Sequence, residues 1–106
     1  MATGRLGASD LAAATNTTVY TVPADTFAVV SLSICNRGNQ AVAVRVAVAS
    51  AATPTNAEYI EYDTEVLGKG VLERTGIVMD TGKLLVVWSN AANISAVAFG
   101  IETPTA

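Results

Sequence analysis

Between residues 41 and 49 the chain reads Ala-Val-Ala-Val-Arg-Val-Ala-Val-Ala, with valine at 42, 44, 46 and 48. Successive side chains of a β-strand point to opposite faces. This period of two therefore puts four β-branched residues on one face and Ala41, Ala43, Arg45, Ala47 and Ala49 on the other. The valine face predicts a core. The opposite face is unusual for a solvated strand, because it carries methyl-sized side chains and one charge where Lys, Glu, Thr or Ser are the norm. It predicts close approach by another layer or by another copy of the chain.

Similar short runs recur along the chain, with turn residues between them at the spacing of a sandwich or barrel. Residues 17–22 are rich in β-branched and aromatic residues and end at Pro23-Ala24-Asp25. In residues 27–36, Val30, Leu32 and Ile34 alternate with Ser31, Ser33 and Cys35. The short connection Arg37-Gly38-Asn39 predicts a β-hairpin joining this run to the alanine–valine strand. Residues 50–57, small, polar and interrupted by Pro54, predict a longer loop crossing between two sheets, as in a Greek key. Residues 58–67 alternate Ile60, Tyr62, Thr64 and Val66 against Tyr59, Glu61, Asp63 and Glu65, and Gly68-Lys69-Gly70 turns them into the run 71–79. Residues 84–89 are apolar on both faces, which predicts a central strand. The last run is 94–101, in which Val97, Phe99 and Ile101 share a face.

The expected fold is thus all-β, an antiparallel β-sandwich of about seven strands with an Ig-like or jelly-roll-like Greek key, spanning residues 17–102. An extended N-terminal arm is expected at residues 1–16 and a C-terminal tail at 103–106. Within the arm, residues 9–14 have a helical look with Ser9 or Asp10 as N-cap, but one and a half turns are too few to stand alone. Gly4, Gly7 and three consecutive alanines build no core by themselves, so Arg5, Leu6 and Leu11 are expected to dock on the domain or on a neighbouring chain.

A chain of 106 residues has room for one core. Charged residues make up 14% of it, against a usual share of about 25%. That shortage predicts surface shielded in an assembly. A net charge of −3 and six scattered basic residues argue against nucleic acid as a partner. No membrane partner is expected either: the longest apolar run, near residues 41–52, is broken by Arg45 and falls short of the roughly 20 residues a helical span needs. The first 14 residues lack the apolar stretch of an export signal, so export by the general pathway is not expected and the sequons at Asn16 and Asn93 read as chance.

Histidine is absent, which removes Ser-His-Asp and Cys-His nucleophile systems, histidine metal sites and the commonest general base. No catalytic residue, cofactor or metal is expected. Cys35 is the only cysteine and reads as a small buried hydrophobe, since nothing nearby would generate a thiolate. Gly68-Lys69-Gly70 and Gly4-Arg5-Leu6-Gly7 lack phosphate-loop spacing and read as turn and arm glycines. Glu61, Asp63 and Glu65 at i, i+2, i+4 fall on one strand face, but strand neighbours roughly 7 Å apart do not grip one ion. They read as a charged edge that resists sheet-to-sheet aggregation. Arg45, alone among alanines, calls for a carboxylate or carbonyl partner, within the chain or across an interface.

Arg5-Leu6-Gly7, Asp10-Leu11-Ala12-Ala13 and the following Thr15-Asn16-Thr17-Thr18-Val19-Tyr20-Thr21-Val22-Pro23-Ala24 resemble the opening of small virion structural proteins of tailed bacteriophages. The resemblance continues through residues 27–35, Asn36-Arg37-Gly38 and the strand 42–48, about the first half of the chain. It implies a self-associating β-sandwich on a virus particle. The expected function is then non-enzymatic: a capsid decoration or cement protein on the outer shell, whose partners are the major capsid protein or other virion proteins and further copies of itself. Two alternatives stand beside it, a tail, neck or fibre-associated virion protein, and a carbohydrate-binding module using Trp88, Tyr59 or Tyr62. A homo-oligomer is expected, with a trimer favoured by the three-fold sites of phage shells. Its candidate interface is Arg5, Leu6, Leu11, Ala43, Arg45 and Ala47.

Overall fold

Runs of β-branched, aromatic and small residues form eight strands among residues 3–105, which the structure, a computed structural model, describes. They are β1 (Thr3–Leu11), β2 (Thr17–Thr21), β3 (Thr26–Asn36), β4 (Val42–Ala49), β5 (Tyr59–Val66), β6 (Val71–Met79), β7 (Leu84–Ser89) and β8 (Ile94–Pro104). A single 3-10 turn, Asn56–Glu58, precedes β5. The strands make two antiparallel four-stranded sheets, ordered β1-β8-β3-β6 (sheet A) and β2-β7-β4-β5 (sheet B), in a β-sandwich-like arrangement. The alternating positions of β3 (Val30, Leu32, Ile34) and β4 (Val42, Val44, Val46) supply the main core between the sheets. β7 is central and buried on both faces, as its doubly apolar pattern predicts.

Four expectations change at the level of topology. The expected arm is largely a strand: β1 lies along β8 from Thr3 opposite Ile101 to Leu11 opposite Ile94, and Leu11 is a core residue only 2% exposed. Its residues turned toward the core are Leu6, in a bulge, then Gly7, Ser9 and Leu11, and two hydrophobes five positions apart make no period of two to announce it. Gly7 is there because β1 runs tight against β2. A Cβ on it would stand 2.0 Å from the Val19 carbonyl oxygen. No helix forms at residues 9–14. At the other end, Thr103 and Pro104 of the expected tail continue β8 by pairing with Phe27 and Thr26, because β3 is long enough to leave them ladder positions. Met1, Ala2 and Ala106, which belong to the expected arm and tail, lie outside the described residues.

The expected hairpin between β3 and β4 is an arch from one sheet to the other. Both edges of β3 are taken by β6 and β8, and both edges of β4 by β5 and β7. Stacking the two strands lets their apolar faces meet, whereas pairing them would leave each face seeking another layer. Buried Asn36 holds the arch: its side-chain amide donates to the carbonyls of Gln40 (2.8 Å) and Val66 (3.2 Å), and its side-chain oxygen accepts from the Gly38 N–H (2.9 Å). Conversely, residues 50–57, expected to cross, connect neighbours β4 and β5 within sheet B. Their end is organised by Glu58, whose carboxylate accepts the backbone N–H groups of Thr55 (2.8 Å) and Ser50 (3.0 Å) and is held below the usual carboxylate range by them, Thr55 first. The turn at Gly68-Lys69-Gly70 then crosses between the sheets, from β5 to β6.

Polar side chains tie the layers together. Glu61 on β5 accepts from Arg74 on β6 at 2.6 Å, linking the two sheets along their open side. Tyr20 on β2 donates its hydroxyl to Glu102 on β8 at 2.6 Å, and both residues are buried.

Candidate functional site

The face of sheet B that points away from the core is where Arg45, the residue set apart by its alanine neighbours, finds its surroundings. In register, Arg45 stands opposite Trp88 of β7 on one side. On the other side β5 bulges: Val44 pairs with Thr64 and Val46 with Glu61, so Tyr62 and Asp63 together oppose Arg45. Asp63 takes the positive φ of 52° that this extra residue requires, a conformation aspartate tolerates better than most. The bulge delivers both a carboxylate and an aromatic ring to the same arginine.

The result is a stacked guanidinium. Its carbon lies 4.3 Å from the Tyr62 ring centroid and 4.2 Å from that of Trp88, so the planar cation packs against two π faces. Arg45 donates to both carboxylate oxygens of Asp63, at 2.6 and 3.4 Å. The hydrogen bonding with Asp63 raises the guanidinium further above its ordinary value, against the opposing effect of burial. Tyr59 meets Tyr62 edge to face, with centroids 5.0 Å apart. Beside them Asn56, Tyr59 and Tyr62 line an open depression of about 430 Å³. With its charge answered by Asp63, Arg45 is no anion receptor. The site offers an exposed tyrosine face and an amide, chemistry suited to stacking and hydrogen bonding rather than to bond breaking.

Arg45 covers the chain's only tryptophan, which makes its contribution measurable. Arg45→Ala is expected to shift Trp88 emission to the red and to raise its quenching by acrylamide, while the far-UV circular dichroism stays that of the wild type. Unchanged emission would show that the guanidinium does not sit on the indole in solution.

The six residues expected to form an interface part company here. Ala47 has no exposed surface, and neither does Ala49; with Val86 they form a second small core covered by Tyr59 and Leu84 of the same chain. Leu11 belongs to the main core and Leu6 packs partly against it. Ala47 and Leu11 are therefore packed inside this chain. Ala43 and Arg45 keep partial exposure and Arg5 lies open on sheet A, remote from them in sheet order. Along the alanine face the chain itself covers Ala47 and Ala49, whereas Ala43 stays half-buried and Ala41 exposed. The close approach that the alanines require comes from Tyr59 and Leu84.

The three carboxylates of β5 also separate. Glu61 pairs with Arg74 and accepts from the Thr64 hydroxyl at 2.8 Å, Asp63 pairs with Arg45, and Glu65 is exposed opposite Ala43. The bulge breaks the period of two that would have aligned them. No group of three metal-ligating side chains occurs among the described residues, and β5 is an edge strand. Cys35 is half-buried on the outer face of sheet A, between Ser95 and Val71, instead of within the core. The arginine's need for a carboxylate is visible in sequence. Asp63, Tyr62 and Trp88 as its companions are not, although aligning Arg45 with Trp88 across neighbouring strands would have suggested one of them. No helix among the described residues is long and apolar enough to cross a membrane. Compared with protein-family models, curated proteins and solved structures, the chain matches none of them.

Proposed function

We propose that this chain is a non-enzymatic structural protein of a bacteriophage virion, a decoration or cement protein that binds the outer capsid shell, and that its sandwich is of the jelly-roll type. One observation carries this reading: the strand orders β1-β8-β3-β6 and β2-β7-β4-β5, in which every connection except β4–β5 passes from one sheet to the other. Two interleaved Greek keys generate that order, and viral capsid domains are a principal home of the eight-stranded jelly roll. The likeness of the first half of the chain to small phage virion proteins points the same way. So do the low charge and the absence of histidine, which favour a part that adheres over one that reacts. Fold alone does not carry function, and the particle must be asked directly.

The test is the amount and place of the protein in purified particles of its virus. Decoration predicts hundreds of copies per particle, with antibody labelling spread over the head. A tail, neck or fibre part predicts about a dozen copies at one vertex, following the symmetry of such assemblies. Absence from particles would overturn both.

A second reading, a carbohydrate-binding module, is favoured by the open depression at Asn56, Tyr59 and Tyr62. Its stacking platform is Tyr62, which is 56% exposed and lines the depression, and not Trp88, which is half-buried and lies outside that lining. Glycan-array binding abolished by Tyr62→Ala would support it, and an array without signal would remove it.

A further inference from the structure

The outer face of sheet A carries the apolar surface that the alanine face lacks. On one row across the sheet, Ile101 of β8, Val29 of β3 and Val78 of β6 lie side by side in register, 54%, 42% and 69% exposed. Phe99, 39% exposed, adjoins them one position along β8. Isolated apolar residues on a surface need no explanation. Four in contiguous ladder positions on a face that should alternate polar residues outward form a patch. The broad face of a molecule measuring 46 × 27 × 19 Å also has the roughly 800 Å² per partner that a stable pair of proteins buries.

We infer that this face binds a second copy of the chain, packing sheet A against sheet A about a two-fold axis that runs along the strands between β8 and β3. The pattern of side chains selects this occupant, because that rotation lays β8 on β3 and β1 on β6 of the other copy. Ile101 of each copy then covers Val29 of the other. Phe99, the largest outward residue, falls over Ser31, one of the smallest, since the two already share a row. The lateral rims complement each other as well. Arg5 on β1 and Glu73 on β6 are exposed at opposite edges of the face, neither has an ion-pair partner among the described residues, and they stand one row apart. The rotation brings each Arg5 within one row of Glu73 in the other copy, twice over, as an isologous interface requires. The two sheets would stack about 10 Å apart with their strands nearly aligned.

Sedimentation equilibrium of the full chain, from about 1 to 100 µM, tests this, and it does so whether or not the protein decorates a capsid. The wild type is expected to be a dimer. Ile101→Lys should weaken it by about a hundredfold or more, by placing a charge in the centre of the patch. Arg5→Glu and Glu73→Arg should each weaken it about tenfold, and the double variant should return to within a few-fold of the wild type. Thr18→Lys, on the outer face of sheet B, should leave the dimer intact. All these residues are exposed, so far-UV circular dichroism that matches the wild type will show that the variants are folded. A monomer at 100 µM, a dimer indifferent to Ile101→Lys, or charge reversals that are not rescued in combination would overturn the inference.

Discussion

Leu11→Ala is expected to destabilise the protein by about 3 kcal/mol, the usual loss for a fully buried leucine whose cavity only partly collapses. Leu11 is the last residue of β1, pairs with Ile94, and lies in one continuous core with Tyr20, Ile34 and Ile94. If residues 1–16 were an arm resting on the surface, the same substitution would change stability by no more than about 0.5 kcal/mol. Urea unfolding distinguishes the two, read as a fall in the midpoint at constant slope. Deleting residues 1–11 should be more severe, because it strips one edge of β8 of its ladder as well as removing the core side chain. A truncated chain as stable as the wild type would mean that β1 is dispensable.

Tyr20→Phe is expected to cost about 2 kcal/mol at neutral pH, since it takes a hydrogen-bond donor from a buried carboxylate and gives nothing in return. It should also abolish a pH dependence. Burial, then the hydrogen bond to Glu102, then the charge of Glu102 push the Tyr20 phenol well above its ordinary value of 10.0. The folded protein therefore holds this proton more tightly than the unfolded chain does. The stabilisation is complete below pH 10 and is lost as the pH rises from there toward the folded-state value, at up to about 1.4 kcal/mol per pH unit. Denaturant titrations at pH 7, 9, 10.5 and 11 on wild type and Tyr20→Phe isolate this group from the lysines, which both proteins share. A wild-type curve that falls no faster than that of the variant would show that the pair is not formed. The bond joins β2 of one sheet to β8 of the other, so its loss also loosens the contact between the layers.

These effects explain how a sparsely charged domain with a single cysteine holds together. A core of valine, leucine and isoleucine lies between the sheets, and the few buried polar groups are satisfied across them by Asn36 at one end and by Tyr20 with Glu102. Among the described residues no buried side-chain nitrogen or oxygen lacks a hydrogen-bond partner. Surplus apolar surface is exposed on sheet A, while Ala47 and Ala49 in the alanine row of sheet B are covered by Tyr59 and Leu84. The absence of ordinary polar residues on two outer faces thus has two different causes.

Most strands were legible one at a time. The period of two in β3, β4 and β5, the doubly apolar β7 and the turn residues between runs placed six of the eight strands, β2 to β7, to within a residue, because alternation and turn chemistry are local properties of the chain. β1 was not legible, since its inward residues include Gly7 and Ser9, and a glycine chosen for close approach to Val19 looks like a glycine chosen for flexibility. Which strand pairs with which was not legible either. The short link after Asn36 reads as a hairpin in sequence and is an arch in the fold, because stacking two apolar faces against each other competes with pairing the strands, and only the positions of β5, β6, β7 and β8 decide between them.

The same division holds for the site. Sequence alone determined that Arg45 stands on the face opposite the valines and that a partly buried guanidinium there needs a carboxylate. It left open that Asp63 would supply it and that Tyr62 and Trp88 would flank it, because those contacts depend on a bulge in one neighbouring strand and on the register of another. It determined too that Val97, Phe99 and Ile101 share a face, but not that this face looks outward. That was decided by the tertiary structure, where small Ala96 and Ala98 fit between the packed sheets and the larger residues of β8 do not have to. Periodicity says which side chains go together. Only the packing of the layers says which side is buried.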